Sequence, residues 1–137
     1  MRVIFSMLAM LITLTSCAFS QTGHKAYEDS LDYIVKFEEN KDIRMNAVKK
    51  LADTSSSLDY VVKFEEDKEI RKIAVKKLAD TSSSLDYVVK FEEDKEIRKI
   101  AVEKLTSKTS LDFVTQFEKD KDIRKVAEQK LVALSKK

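Results

Sequence analysis

The chain has 137 residues, with 26 basic and 24 acidic side chains, one Gly, one Cys and neither Pro nor Trp. So few turn residues argue against an all-β fold, and they exclude Gly-rich phosphate loops and Pro-rich linkers. A single Cys makes neither an internal disulfide nor a cysteine metal cluster, and 36% charged with 43% apolar residues fits about one ordinary domain.

Residues 1–16 read MRVIFSMLAMLITLTS, with Arg2 the only charge and Val3 to Leu14 a mostly apolar run. A membrane-spanning helix needs about 20 such residues. A charged start and a short apolar core instead predict a secretory signal. Leu14-Thr15-Ser16-Cys17 resembles the lipobox of bacterial lipoproteins. The resemblance implies that Cys17 takes a diacylglycerol on sulfur and becomes the first mature residue. Several acyl chains give stable anchoring where one gives marginal binding. By the same resemblance, Ala18 in place of Asp favours the outer membrane over the inner. The competing reading is an ordinary cut after Ser20, since Ala18-Phe19-Ser20 has the small-x-small form; the product would then be periplasmic or secreted. Losing residues 1–16 removes only Arg2, so the net charge falls from +2 to +1. That balance points away from nucleic acid. Residues 17–29 are expected to form a polar tether, holding the only Gly and the only His.

The rest is one unit repeated four times, over 30–56, 57–83, 84–109 and 110–137. Leu31, Leu58, Leu85 and Leu111 are spaced 27, 27 and 26 apart, as are Phe37, Phe64, Phe91 and Phe117. The stretch SLDYVVKFEEDKEIRKIAV recurs unchanged at 57–75 and 84–102. In the second copy Leu58, Val61 and Val62 recur at helical spacing, and Ile70, Ile73, Ala74 and Leu78 form a second stripe. Five consecutive charged residues, Glu65 to Glu69, separate the stripes, which predicts two short helices and a tight turn. Asp67 is expected to cap the second helix, as are Asn40, Asp94 and Asp120. Ser56 with Asp59 is expected to form a capping box on the first.

Helices this short are marginal alone in water. Stacked pairs bury a continuous core, so the expected fold class is all-α, an α-solenoid of four two-helix repeats. Ile73 and Ile100 correspond to Asn46 in the first copy, while Val62 and Val75 correspond to Thr115 and Glu128 in the last. Polar outer faces on the end copies are what capping an array requires.

The second helices share the run D-x-x-I-R-x-x-A-x-x-x-L. Copy two supplies Asp67, Ile70, Arg71, Ala74 and Leu78; copy three Asp94, Ile97, Arg98, Ala101 and Leu105; copy four Asp120, Ile123, Arg124, Ala127 and Leu131. Copy one starts from Asn40 and continues with Ile43, Arg44, Ala47 and Leu51. This run resembles HEAT repeats, of the compact bacterial HEAT-like type, and covers residues 30 to about 134. The unit is shorter than most HEAT units and lacks the Pro many carry. The resemblance implies a HEAT/armadillo-like superhelix, with Arg44, Arg71, Arg98 and Arg124 as a structural ladder toward carboxylates such as Glu65 or Asp67 of their own or adjacent copies.

No reactive constellation stands out. His24 sits in the tether without a second ligand nearby, and the pairs Glu38-Glu39, Glu65-Glu66 and Glu92-Glu93 fall at turns, where solvated charge is the default. The reading is therefore non-enzymatic, with no metal and no cofactor. Tyr33, Tyr60, Tyr87 and Phe113 read as core or rim packing. In HEAT-like arrays the second helices usually line the concave face, and Lys72, Lys76, Lys99 and Lys125 fall there as candidate contacts to an acidic protein or peptide. The competing view of these lysines is a solvated face balanced by acids. Two functions follow: a lipid-anchored scaffold that binds a protein, or a structural spacer or surface coat with no specific ligand.

Overall fold

A computed structural model describes residues 23–136. The segment read as a signal peptide, Cys17 and residues 17–22 of the expected tether lie outside the described residues, as does Lys137. Among the described residues every regular element is a helix. Helix α1 covers 23–37, followed by α2 (Lys41–Lys50), α3 (Ser56–Phe64), α4 (Lys68–Lys77), α5 (Ser84–Phe91), α6 (Lys95–Lys104), α7 (Lys108–Phe117) and α8 (Lys121–Ser135). No helix among them is long and apolar enough to cross a membrane.

The boundaries follow from side chains that satisfy free helix ends. Asn40, Asp67, Asp94 and Asp120 are all extended, and each side chain accepts hydrogen bonds from the second and third amides of the helix it precedes. The acidic first turns and the lysines at the ends of α2, α4 and α6 complement the helix dipole. For α3 the structure corrects the expected cap. Ser55, not Ser56, is the extended residue, and its Oγ accepts from the Ser57 amide. Ser56 is already helical, so the third helical residue is Leu58, which cannot close a capping box. Asp59 instead accepts from the Ser82 hydroxyl, just before α5, at 3.3 Å. The expected tether is also revised. Residues 23–29 belong to α1, where Lys25, Ala26 and Glu28 are compatible with helix and no Pro interrupts.

The two helices of a copy pack together, α3 on α4, α5 on α6 and α7 on α8. Successive second helices also pack, α2 on α4, α4 on α6 and α6 on α8, and α3 meets α5. One continuous core results. Copy two contributes Leu58, Val61, Val62, Ile70, Ala74, Val75 and Leu78, and their counterparts follow in copy three. Burying each Leu, Ile or Val contributes about 1.5–3 kcal/mol. Most of that burial is shared between helices, so helices of eight to ten residues hold only through their neighbours.

The ends differ from the middle. Ile73 and Ile100 are half-buried against the core, whereas Asn46 is exposed. Val75 and Val102 are buried, whereas Glu128 is exposed. The N-terminal end is not wholly polar, because Ile43 is 46% exposed where its counterparts Ile70 and Ile97 are buried.

Candidate interaction surface

The turn between the two helices of each copy is a fixed latch. After Phe64 the chain extends through Glu65 and enters α4 at the Asp67 cap. Arg71, one turn into α4, reaches back. Its Nη1 donates to the carbonyls of Glu65 at 3.0 Å and Glu66 at 2.7 Å, tying down the end of α3. Its Nε and Nη2 donate to both carboxylate oxygens of Glu92 in the next copy, at 2.8 and 2.9 Å. Glu92 also accepts from the Asp94 amide at 3.0 Å, and its side chain is only 5% exposed. Burial pushes the Glu92 carboxyl up, but the guanidinium and the amide outweigh it and hold the group below its ordinary value of 4.5. Arg44 with Glu65 and Arg98 with Glu118 repeat this arrangement, with the same outcome for both carboxyls. Arg124, in the last described copy, makes the carbonyl half, to Glu118 and Lys119, and among the described residues meets no carboxylate. Each of the first three arginines thus fastens its own turn and the next one at once.

A second row of ion pairs runs alongside. Lys41 meets Asp67 at 2.6 Å, Lys68 meets Asp94 at 3.5 Å and Lys95 meets Asp120 at 3.6 Å. Lys77 with Asp53 and Lys104 with Asp80 bridge the opposite ends of the second helices.

The latch presents one large side chain to water in every copy. Phe37, Phe64 and Phe91 are each 65% exposed and Phe117 is 64% exposed. Each ring leans on the aromatic one turn earlier in its own helix. Tyr33–Phe37, Tyr60–Phe64, Tyr87–Phe91 and Phe113–Phe117 have centroids 4.8–5.1 Å apart and are tilted. Three of the four inner rings carry a cation from the preceding copy, while Tyr33 of the first copy is 65% exposed. Lys36 lies 5.6 Å from the Tyr60 ring centre, Lys63 lies 5.9 Å from Tyr87, and Lys90 lies 5.3 Å from Phe113. The outer phenylalanines occupy the same latched position in each copy, a rim of which Phe37 and Phe64 line one recess. That rim went unread in the sequence, where these residues served only as markers of spacing. The signal was there: at 100° per residue Phe64 falls well off the stripe of Leu58, Val61 and Val62.

The lysines singled out from the sequence sit elsewhere, on the second helices. Lys72 and Lys76 lie on α4, Lys99 on α6 and Lys125 on α8. Lys72 is half-buried and paired with Glu96 of the next copy at 2.6 Å. Lys76, Lys99 and Lys125 are exposed and form no ion pair among the described residues. A recess beside Lys99 also holds Glu96, Asp120 and Asp122, so the row mixes both signs. His24 is exposed in the first turns of α1. Among the described residues no three His, Cys, Asp or Glu side chains are placed to hold a metal ion.

No protein-family model matches the chain, and neither a curated protein nor a solved structure is similar to it.

Proposed function

We propose that this chain is an exported, lipid-anchored, non-enzymatic scaffold: a HEAT-like α-solenoid that binds a protein or peptide. Cys17 would carry the anchor, on the lipobox resemblance of Leu14 to Cys17. The unbroken packing order α2, α4, α6, α8 and the arginine latches support the solenoid reading. One observation carries the binding role: a phenylalanine of nearly constant high exposure at the same latched position in all four copies. A contiguous apolar patch left in water favours association, which a single exposed side chain does not. A pure spacer has no use for four exposed phenylalanines in a row. The spacer or coat reading keeps one observation in its favour, the identity of 57–75 and 84–102, which suits a unit duplicated for length.

The geometry favours the aromatic rim over the lysine row as the binding edge, because Lys72 is already engaged within the array. The comparison is made by crosslinking in intact cells. Phe64→Ser with Phe91→Ser is expected to abolish the crosslinked species, while Lys72→Glu, Lys76→Glu and Lys99→Glu together weaken it less. The opposite ranking moves the site to the lysine row; no crosslinked species from any version supports the spacer. Mass spectrometry of the mature N-terminus is expected to show acylated Cys17, and a free N-terminus after Ser20 would replace the anchor with soluble export.

A further inference from the structure

We infer that the chain associates head to tail with further copies of itself. The last repeat of one molecule seats on the first repeat of the next and closes a joint like the three inside the array. This needs neither the lipid anchor nor the phenylalanine rim.

Each interior joint takes an arginine from the earlier repeat and a carboxylate from the later one, Arg44 with Glu65, Arg71 with Glu92 and Arg98 with Glu118. The two ends of the array hold the two halves of one more such joint. At the C-terminal end Arg124 is tied to the carbonyls of Glu118 and Lys119, as Arg71 is to those of Glu65 and Glu66. At the N-terminal end Glu38 accepts from the Asn40 amide at 2.9 Å, as Glu92 accepts from the Asp94 amide at 3.0 Å. Both halves are held by the same backbone contacts as in the interior joints, so docking has little left to order. Among the described residues neither the Arg124 nor the Glu38 side chain forms an ion pair. A second pair follows the same logic. Lys72 meets Glu96 across a joint at 2.6 Å. Lys125 and Asp42 hold these two positions at opposite ends of the array, and both are exposed.

Apolar surface is uncovered at the same two ends. Ile43 is 46% exposed, where Ile70, Ile97 and Ile123 are at most 2% exposed. Ile34 is half-buried where Val61, Val88 and Val114 are buried. At the other end Leu131 is half-buried where Leu51, Leu78 and Leu105 are buried, and Val132 is 53% exposed. Residues 23–29 of α1 and 131–135 of α8 prolong the helices at the ends away from the latches, which leaves Glu38 and Arg124 open.

The new joint is weaker than an interior one. Asn46 and Glu128 replace apolar residues there, although an Asn amide donates to a carboxylate. Lys121 faces Asn40 instead of an aspartate, and Gln116 stands where Lys36, Lys63 and Lys90 reach the next ring. The association is therefore reversible and screened by salt. It joins two different surfaces, so it repeats into a series and does not stop at a dimer.

The test is sedimentation velocity on the chain from residue 17 onward, with Cys17→Ser to exclude disulfides and acylation, from micromolar to millimolar concentration. The average mass is expected to grow past the dimer and to fall with added salt. Arg124→Glu and Glu38→Arg, each alone, should raise the concentration needed by at least about tenfold. An equal mixture of the two variants should recover association, because each supplies the end that the other has reversed. Recovery also shows that both variants are folded. A mass that stays monomeric overturns the inference, as does a dimer that does not grow, association unchanged by both reversals, or no recovery from two variants with native helical content. Association lost in Phe64→Ser with Phe91→Ser but kept in both reversals places the contact on the rim and overturns it too. Crosslinking through the rim reads a different surface, so the scaffold reading and this one fail separately.

Discussion

Arg71 and Arg124 occupy the same place in their copies and follow the same local run, yet they live in different surroundings. Arg71 joins two copies through a buried carboxylate, and its side chain is 19% exposed. Arg124 only fastens its own turn, through the carbonyls of Glu118 and Lys119. The same contrast separates buried Ile70 from exposed Ile43, and buried Val75 from exposed Glu128. A residue of this array takes its energetic weight from whether a neighbour follows or precedes it.

That contrast is sharpest in the core. Ile97→Ala, at a joint between copies, is expected to cost about 2–5 kcal/mol. Val132→Ala, on the exposed tail of α8, should stay within about 0.5 kcal/mol. Urea unfolding of the whole chain measures both; similar costs would break the view that interior joints carry the stability.

The latches come next. Arg71→Ala removes a two-point charged contact and strands Glu92, at an expected cost of about 2–3 kcal/mol. Arg124→Ala should cost about 1 kcal/mol or less, since it loses only hydrogen bonds to carbonyls. Equal losses would mean that the joint half of the latch contributes nothing. The pH dependence sharpens the same point. Glu92 is held below its ordinary value of 4.5, so its contribution is full at neutral pH and persists down to about that value. It is lost as pH falls further, through the folded value. The Tm gap between the native chain and Glu92→Gln should therefore stay constant from neutral pH to near 4.5 and close below it. A gap that widens in acid would contradict the assignment.

The smallest effect concerns the helix starts. Ser55→Ala and Ser82→Ala are each expected to cost about 1 kcal/mol, because Ser55 Oγ accepts from the Ser57 amide and Ser82 Oγ from the Ser84 amide. Ser83 is helical in backbone and makes no cap bond, so Ser83→Ala should be nearly silent. Thermal melts of the three variants rank them.

Much of this architecture could be read before any coordinates. The five-charge break at Glu65 to Glu69 announced the turn, and Asn40, Asp67, Asp94 and Asp120 announced the caps, because a short polar side chain before an apolar stripe acts on amides two and three residues away. Two local readings shifted by small amounts. Three consecutive serines, 55 to 57, all suit a cap, and only the backbone conformation at Ser55 selects among them. Residues 23–29 are mostly polar and exposed, and polarity alone does not separate a tether from the exposed start of a helix.

The lysines and phenylalanines show the limit of periodicity. Lys72 and Lys76 look alike in the sequence, yet one is paired across a joint and the other is free in water. Phe64 looks like another apolar residue of α3, yet it stands outside the core.

From the sequence alone came most of what depends on residues within about a turn of one another: helix type, the caps of the second helices and which stripe seeks cover. Tertiary structure decided the rest. Glu92 as the partner of Arg71, Lys63 over Tyr87, and the bare row of phenylalanines each depend on how one copy lies against the next. Sequence spacing carries no such information, because partners 20–27 residues apart are chosen by packing and not by the chain between them.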